Sequence, residues 1–90
     1  MSNSLPTAII TGASRGIGRA LALLLAKNNF QLSLVARNKG ELKDLAAEIT
    51  EIGHRPLYFD GDVSDEAFVS GAVEKTVHTF GHIDYVINNA

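Results

Sequence analysis

Three glycines, Gly12, Gly16 and Gly18, fall within the run Thr11-Gly12-Ala13-Ser14-Arg15-Gly16-Ile17-Gly18. Before them, Thr7 to Thr11 is a short β-branched, apolar run, and after them a denser apolar stretch begins. A glycine-rich turn from a strand into a helix suits a phosphate-bearing ligand, because backbone amides point at the anion with no β-carbon in the way. Gly12 permits the tight turn, Gly16 lets the backbone approach a pyrophosphate, and Gly18 lets the helix lie close to the sheet. The helix N-terminus adds free amides and the positive end of its dipole.

The spacing separates this loop from other phosphate loops. A Walker A loop requires a lysine and a hydroxyl residue after its last glycine, whereas Gly18 is followed by Arg19 and Ala20. The G-x-G-x-x-G spacing is absent too. What stands here is T-G-x-x-x-G-x-G.

The elements that must hold the loop follow from patterning. Thr7 to Thr11 reads as a strand buried on both faces, and Gln31 to Ala36, Pro56 to Phe59 and Ile83 to Asn88 read as three more. From Ile17 to about Asn28 a helix is expected, with Ile17, Leu21, Leu24 and Leu25 on one face and Asn28-Asn29 at its end. Asn38 and Glu41 have the spacing of a capping box for a second helix, whose Leu42, Leu45, Ala46, Ile49 and Ile52 recur at helical spacing before Gly53. Ser64 is expected to cap a third helix, with Asp65 and Glu66 at its positive end. Phe68, Val69, Ala72, Val73, Thr76, Val77 and Phe80 form its expected buried face, and Gly81 ends it. Strands alternating with helices imply right-handed crossovers and a parallel sheet. The fold class is therefore α/β, a doubly wound parallel sheet of Rossmann type. Its four-strand front half has the order 3-2-1-4, with ligands at the carboxyl ends of strands 1 and 4. Residues 1–90 form one partial dinucleotide-binding domain.

The pattern TGASRGIG resembles the short-chain dehydrogenase/reductase family in its compact branch. Two further segments agree, in the right order. Asp62-Val63 follows strand 3, where the family holds the adenine ring, and Asn88-Asn89-Ala90 ends strand 4, where the family has Asn-Asn-Ala-Gly. The resemblance covers essentially the whole chain. It implies that the backbone and hydroxyl of Ser14 lie near the phosphates. It also implies that Asn88 and Asn89 tie the central strands together and line the ribose. The loop from Ala13 to Gly18 looks especially like the branch that reduces 3-oxoacyl groups on a carrier protein.

The cofactor is read from strand 2. In dinucleotide folds an acid about 20 residues past the glycines binds the ribose hydroxyls of NAD. Here Ala36 stands at that place and Arg37 follows. An acid would repel a 2′-phosphate, whereas arginine binds one with a planar fork of donors. Arg15 can close on the same phosphate from the glycine loop. The expected cofactor is NADP. The expected cofactor-binding residues are Gly12, Ser14, Arg15, Gly16, Ile17, Gly18, Arg37, Asp62, Val63, Asn88, Asn89 and Ala90.

Composition bounds the alternatives. Eight basic against ten acidic residues give a net charge of −2, which is no footprint for nucleic acid or a membrane surface. The absence of cysteine excludes disulfides and thiolate metal sites. His54, His78 and His82 lack metal-ligand spacing and read as surface residues, so no metal is implied. No signal peptide or membrane span is visible, which leaves a cytoplasmic address as the default.

The resemblance implies hydride transfer between the nicotinamide and a small carbonyl or alcohol substrate, and a homo-oligomer for an intact protein. The family's catalytic serine, tyrosine and lysine lie beyond strand 4, so no catalytic residue maps here. The chain stops one residue short of Asn-Asn-Ala-Gly, as expected of part of a protein of about 250 residues. Strand 4 is then expected to present Tyr85-Val86-Ile87 as an apolar edge. A non-catalytic NADP-binding module and an inert fragment are the alternatives. A downstream Tyr-x-x-x-Lys separates the enzyme from the module.

Overall fold

Alternate side chains of a strand point to opposite faces of its sheet, so an apolar run without alternation must be covered twice. In the computed structural model, which describes residues 5–89, this is what the central strands show. The elements run β1 (Thr7–Thr11), α1 (Gly16–Lys27), β2 (Gln31–Ala36), α2 (Lys39–Ile52), β3 (Leu57–Asp60), α3 (Glu66–Phe80) and β4 (Tyr85–Asn88). They build one parallel sheet in the expected order β3-β2-β1-β4.

One face carries the main core. Ala8, Ile10, Leu32 and Leu34 are fully or almost fully buried beneath Ala22 and Ala26 of α1 and Leu42, Leu45 and Ile49 of α2. The opposite face meets α3. There the Ser33 and Thr76 hydroxyls, both completely buried, lie 2.6 Å apart, and the Thr76 hydroxyl donates to the Ala72 carbonyl at 2.7 Å. A buried hydroxyl without a partner is costly, so this pair explains a serine in an otherwise apolar strand.

Register brings the strand ends together. Thr11 stands beside Val35 and Asn88, and Ala36 beside Asp60. The segments that leave the sheet at Gly12, Arg37, Gly61 and Asn89 therefore emerge along one edge.

Several local expectations are corrected. The inner stripe of α1 is Gly18, Ala22 and Ala26, while Ile17 and Leu24 are 77% and 55% exposed. Small side chains let the helix lie against the sheet, so the larger ones turn to its flanks. Ile52, expected in the buried stripe of α2, is likewise exposed beside the terminal Gly53. Asp65, not Ser64, caps α3, accepting from the amides of Ala67 at 3.0 Å and Phe68 at 3.2 Å. A carboxylate is the stronger acceptor at a positive helix end, and the Ser64 hydroxyl donates to Asp62 instead, at 2.8 Å. On α3 only Ala72 and Thr76 are buried, whereas Val69, Val73 and Val77 are exposed. Among the described residues this helix meets the sheet alone, with no second helix on its flank. Strand β3 begins at Leu57, one residue after Pro56, which lacks an amide to donate.

Strand β4 is an outer strand with Tyr85 and Val86 exposed, as expected of the apolar edge, whereas Ile87 is half-buried against the core. His82 is half-buried rather than superficial, its Nε2 lying 3.0 Å from both the Leu5 carbonyl and an Asp84 carboxylate oxygen. No described helix is long and apolar enough to cross a membrane.

Candidate functional site

The turn after β1 needs two residues with φ in the left-handed region, Gly12 at 63° and Gly16 at 53°. Side chains rarely adopt that conformation, which accounts for glycine at both. Gly18 answers a different demand. A β-carbon there would fall 2.2 Å from the Gly12 carbonyl oxygen and 2.7 Å from Asn89 Nδ2. The first turn of α1 thus lies directly on its own loop and on the end of β4.

Polar contacts fix the end of β4 to the same loop. The Thr11 hydroxyl donates to Asn88 Oδ1 at 2.8 Å and accepts from the Asn89 amide at 3.0 Å. Asn89 Nδ2 donates to the Gly12 carbonyl at 3.4 Å. The two asparagines thereby join the central strands, as the resemblance implied. Ala90 lies outside the described residues.

Beside the loop opens a cavity of about 450 Å³. Gly12, Ser14 and Arg15 line it from the glycine loop, Ala36, Arg37 and Asn38 from the end of β2, and Gly61 and Val63 from the segment after β3. Glu41, in the first turn of α2, completes the wall. Two arginines separated by twenty-two positions in sequence, 15 and 37, therefore face one space. Gly16, Ile17 and Gly18 form the start of α1 and do not line this cavity. Val63 also borders a second, apolar cavity of about 250 Å³ between the sheet and α3, which Asn88, Phe68 and Val86 line and the first cavity does not share.

Both arginines face carboxylates. Arg15 Nε lies 3.0 and 3.1 Å from the two oxygens of Glu41. Arg37 Nη2 lies 3.4 Å from Asp62 Oδ1. The hydrogen bond from Arg15 holds the Glu41 carboxyl below its usual range, against some desolvation and with help from Ser14. The Asp62 carboxyl is also held low, chiefly by the Ser64 amide and hydroxyl and then by the Arg37 charge. Asp62 itself stands outside the cavity lining and reaches it through Arg37.

Two residues in this wall were assigned other work in the sequence. Asn38 is the expected cap of α2, its Oδ1 accepting from the Glu41 amide at 2.9 Å. The reciprocal half of the capping box is not made, because the Glu41 carboxylate turns to Arg15. The signal for Asn38 was its place directly after Arg37. No local signal marks Glu41, since its partner is twenty-six residues away.

The start of α1 is left open. Arg15, at its N-cap position, makes no side-chain capping bond, and no acid occupies the first turn. Free amides without a competing carboxylate are suited to an anion. Loop, open helix end and paired arginines together match the needs of a nucleotide with a pyrophosphate and a further phosphate.

Comparison with known proteins places the chain in a family. The family model described as short chain dehydrogenase matches residues 6–90. Human hydroxysteroid dehydrogenase-like protein 2 is 42% identical over 91 residues, an alignment covering 93% of this chain and 22% of that protein. A solved 3-ketoacyl-ACP reductase from Sinorhizobium meliloti 1021 is 42% identical with a TM-score of 0.85, over 90% of this chain and 32% of that one. L-Sorbose reductase from Gluconobacter frateurii, solved with NADPH and L-sorbose, is 38% identical with a TM-score of 0.90, over all of this chain and 35% of that one. The chain thus spans between a fifth and about a third of the length of these relatives. From its glycine loop to the end of β4, it belongs to the short chain dehydrogenase family.

Proposed function

We propose that this chain holds NADP for an oxidoreductase acting on a carbonyl or alcohol substrate. The observation that carries this reading is the shared cavity, where Arg15 and Arg37 face the space beside the glycine loop. NADPH bound to the L-sorbose reductase supports it.

The residues fit the cofactor by their chemistry. The amides from Gly12 to Gly18 and the uncapped start of α1 would hold the pyrophosphate, with Ser14 beside it. Ile17, 77% exposed at that helix start, offers an apolar contact to the bound dinucleotide. Arg15 and Arg37 would hold the 2′-phosphate, where planar guanidinium groups give paired, charge-assisted hydrogen bonds. Asp62 and Val63 would border the adenine, and Asn88, Asn89 and Ala90 the ribose. When bound, the nicotinamide supplies or accepts the hydride. The part of this chain in that chemistry is to bind and orient the cofactor.

The test, made on an intact protein that carries this chain, is deuteride transfer from NADPH labelled at both C4 positions, offered with a panel of ketones and aldehydes. Deuterium on the carbinol carbon of a product alcohol is the expected result. Tight NADPH binding with no label transferred to any carbonyl would instead identify a nucleotide-binding module without catalysis.

A further inference from the structure

We infer that Glu41 is a specificity-determining residue of the cavity. Its carboxylate holds Arg15 Nε and faces the cavity that the 2′-phosphate of the cofactor would enter, and so limits how strongly the site favours NADP over NAD. This inference rests on the NADP reading above.

Three observations carry it. Glu41 lines the same cavity as both arginines, so its charge faces the space an incoming phosphate would enter. Its two oxygens share the Arg15 Nε–H, at 3.0 and 3.1 Å. Its side chain is 35% exposed against 77% for Arg15, and its amide is tied to Asn38 at the start of α2. The carboxylate is therefore the fixed partner and the guanidinium the movable one.

Charge gives the direction of the effect. Arg15 and Arg37 bring two positive charges to the cavity, and Glu41 and Asp62 bring two negative ones. With Asp62 counted just outside the lining the four charges sum to zero, and Glu41 is the one negative charge that lines the cavity itself. Glu41 holds only Arg15 Nε, so a 2′-phosphate can take the Nη donors of Arg15, but it then lies beside the Glu41 carboxylate, whose charge repels it. NAD carries no such group and leaves the Arg15–Glu41 pair in place. Glu41 therefore weakens NADP binding while leaving NAD binding unaffected. Exposed ion pairs are weak and readily exchanged, so the effect is a graded brake on affinity.

The test compares Glu41→Gln with the parent protein in calorimetric titrations with 2′,5′-ADP, ADP, NADP and NAD. Glutamine keeps an oxygen that accepts from Arg15 and removes the charge. The expected result is a gain in affinity of about threefold to tenfold for the two 2′-phosphorylated ligands, with ADP and NAD unchanged. Unchanged or weakened 2′,5′-ADP binding in Glu41→Gln would overturn the inference, as would an equal gain for ADP. A parent protein that binds NADP no better than NAD, with Arg37→Ala without effect, would instead overturn the NADP reading itself.

Discussion

Gly18 sits against the carbonyl of Gly12 so closely that a β-carbon at position 18 would lie 2.2 Å from that oxygen. The obstructing atom is backbone, held in place by β1 and by the Asn89 contact, so it cannot swing aside. Gly18→Ala is expected to destabilise the protein by about 3 kcal/mol through overpacking, and to open the glycine loop. Gly71, inside α3, has nothing within 4 Å of its added β-carbon. Gly71→Ala should stabilise by about 0.5–1 kcal/mol, through lower entropy of the unfolded chain. Thermal unfolding of the two variants should shift in opposite directions; equal shifts would contradict this account of the loop.

The buried hydroxyl pair gives an asymmetric expectation. The Thr76 proton goes to the Ala72 carbonyl, so Ser33 must donate to Thr76. Ser33→Ala leaves Thr76 with its acceptor and should cost about 0.5–1.5 kcal/mol. Thr76→Val strands the Ser33 hydroxyl in a fully buried place and should cost about 1–3 kcal/mol. The double variant should be no worse than Thr76→Val alone. Chemical denaturation of all three checks the order, and a larger loss for Ser33→Ala would reverse the assigned proton direction.

Acid titration addresses the two carboxylates at the cavity. Glu41 and Asp62 both have their carboxyl groups held below the ordinary carboxylate range. In mildly acid solution the unfolded chain therefore binds more protons at these groups, and stability rises with pH. Their contribution is complete above the ordinary carboxylate range and is lost as pH falls through the lowered folded values. Glu41→Gln and Asp62→Asn should each flatten the acid limb of a plot of melting temperature against pH. Because both groups are exposed, added salt should weaken the Glu41 effect, which depends on an ion pair.

The strands are legible in the sequence because each signal is local, and their order follows from the right-handed crossovers of a doubly wound sheet. Thr7 to Thr11 stops at a glycine, and Asn38 stands three residues before the amide it caps. The cavity was half visible: Arg15 and Arg37 were found from the chemistry of a 2′-phosphate. Glu41 was read only as a helix-capping residue, because its charge partner comes from another element. The outer face of α3 differs from its sequence pattern for a related reason. Val69, Val73 and Val77 look like core residues by spacing, yet burial depends on what lies opposite, and only Ala72 and Thr76 reach the sheet. Ser64 has the residue type of a cap, yet its hydroxyl is taken by the Asp62 turn, and Asp65 caps the helix instead.

We propose that the cavity beside the glycine loop selects NADP through its arginines. Calorimetric titration of the parent protein and Arg37→Ala with NADP and NAD tests it most directly. A charged hydrogen bond contributes about 1.5–3 kcal/mol, so the ratio of NADP to NAD affinity should fall about ten- to hundredfold in the variant. NAD affinity itself should stay nearly constant. A ratio that is the same in both proteins would contradict the claim.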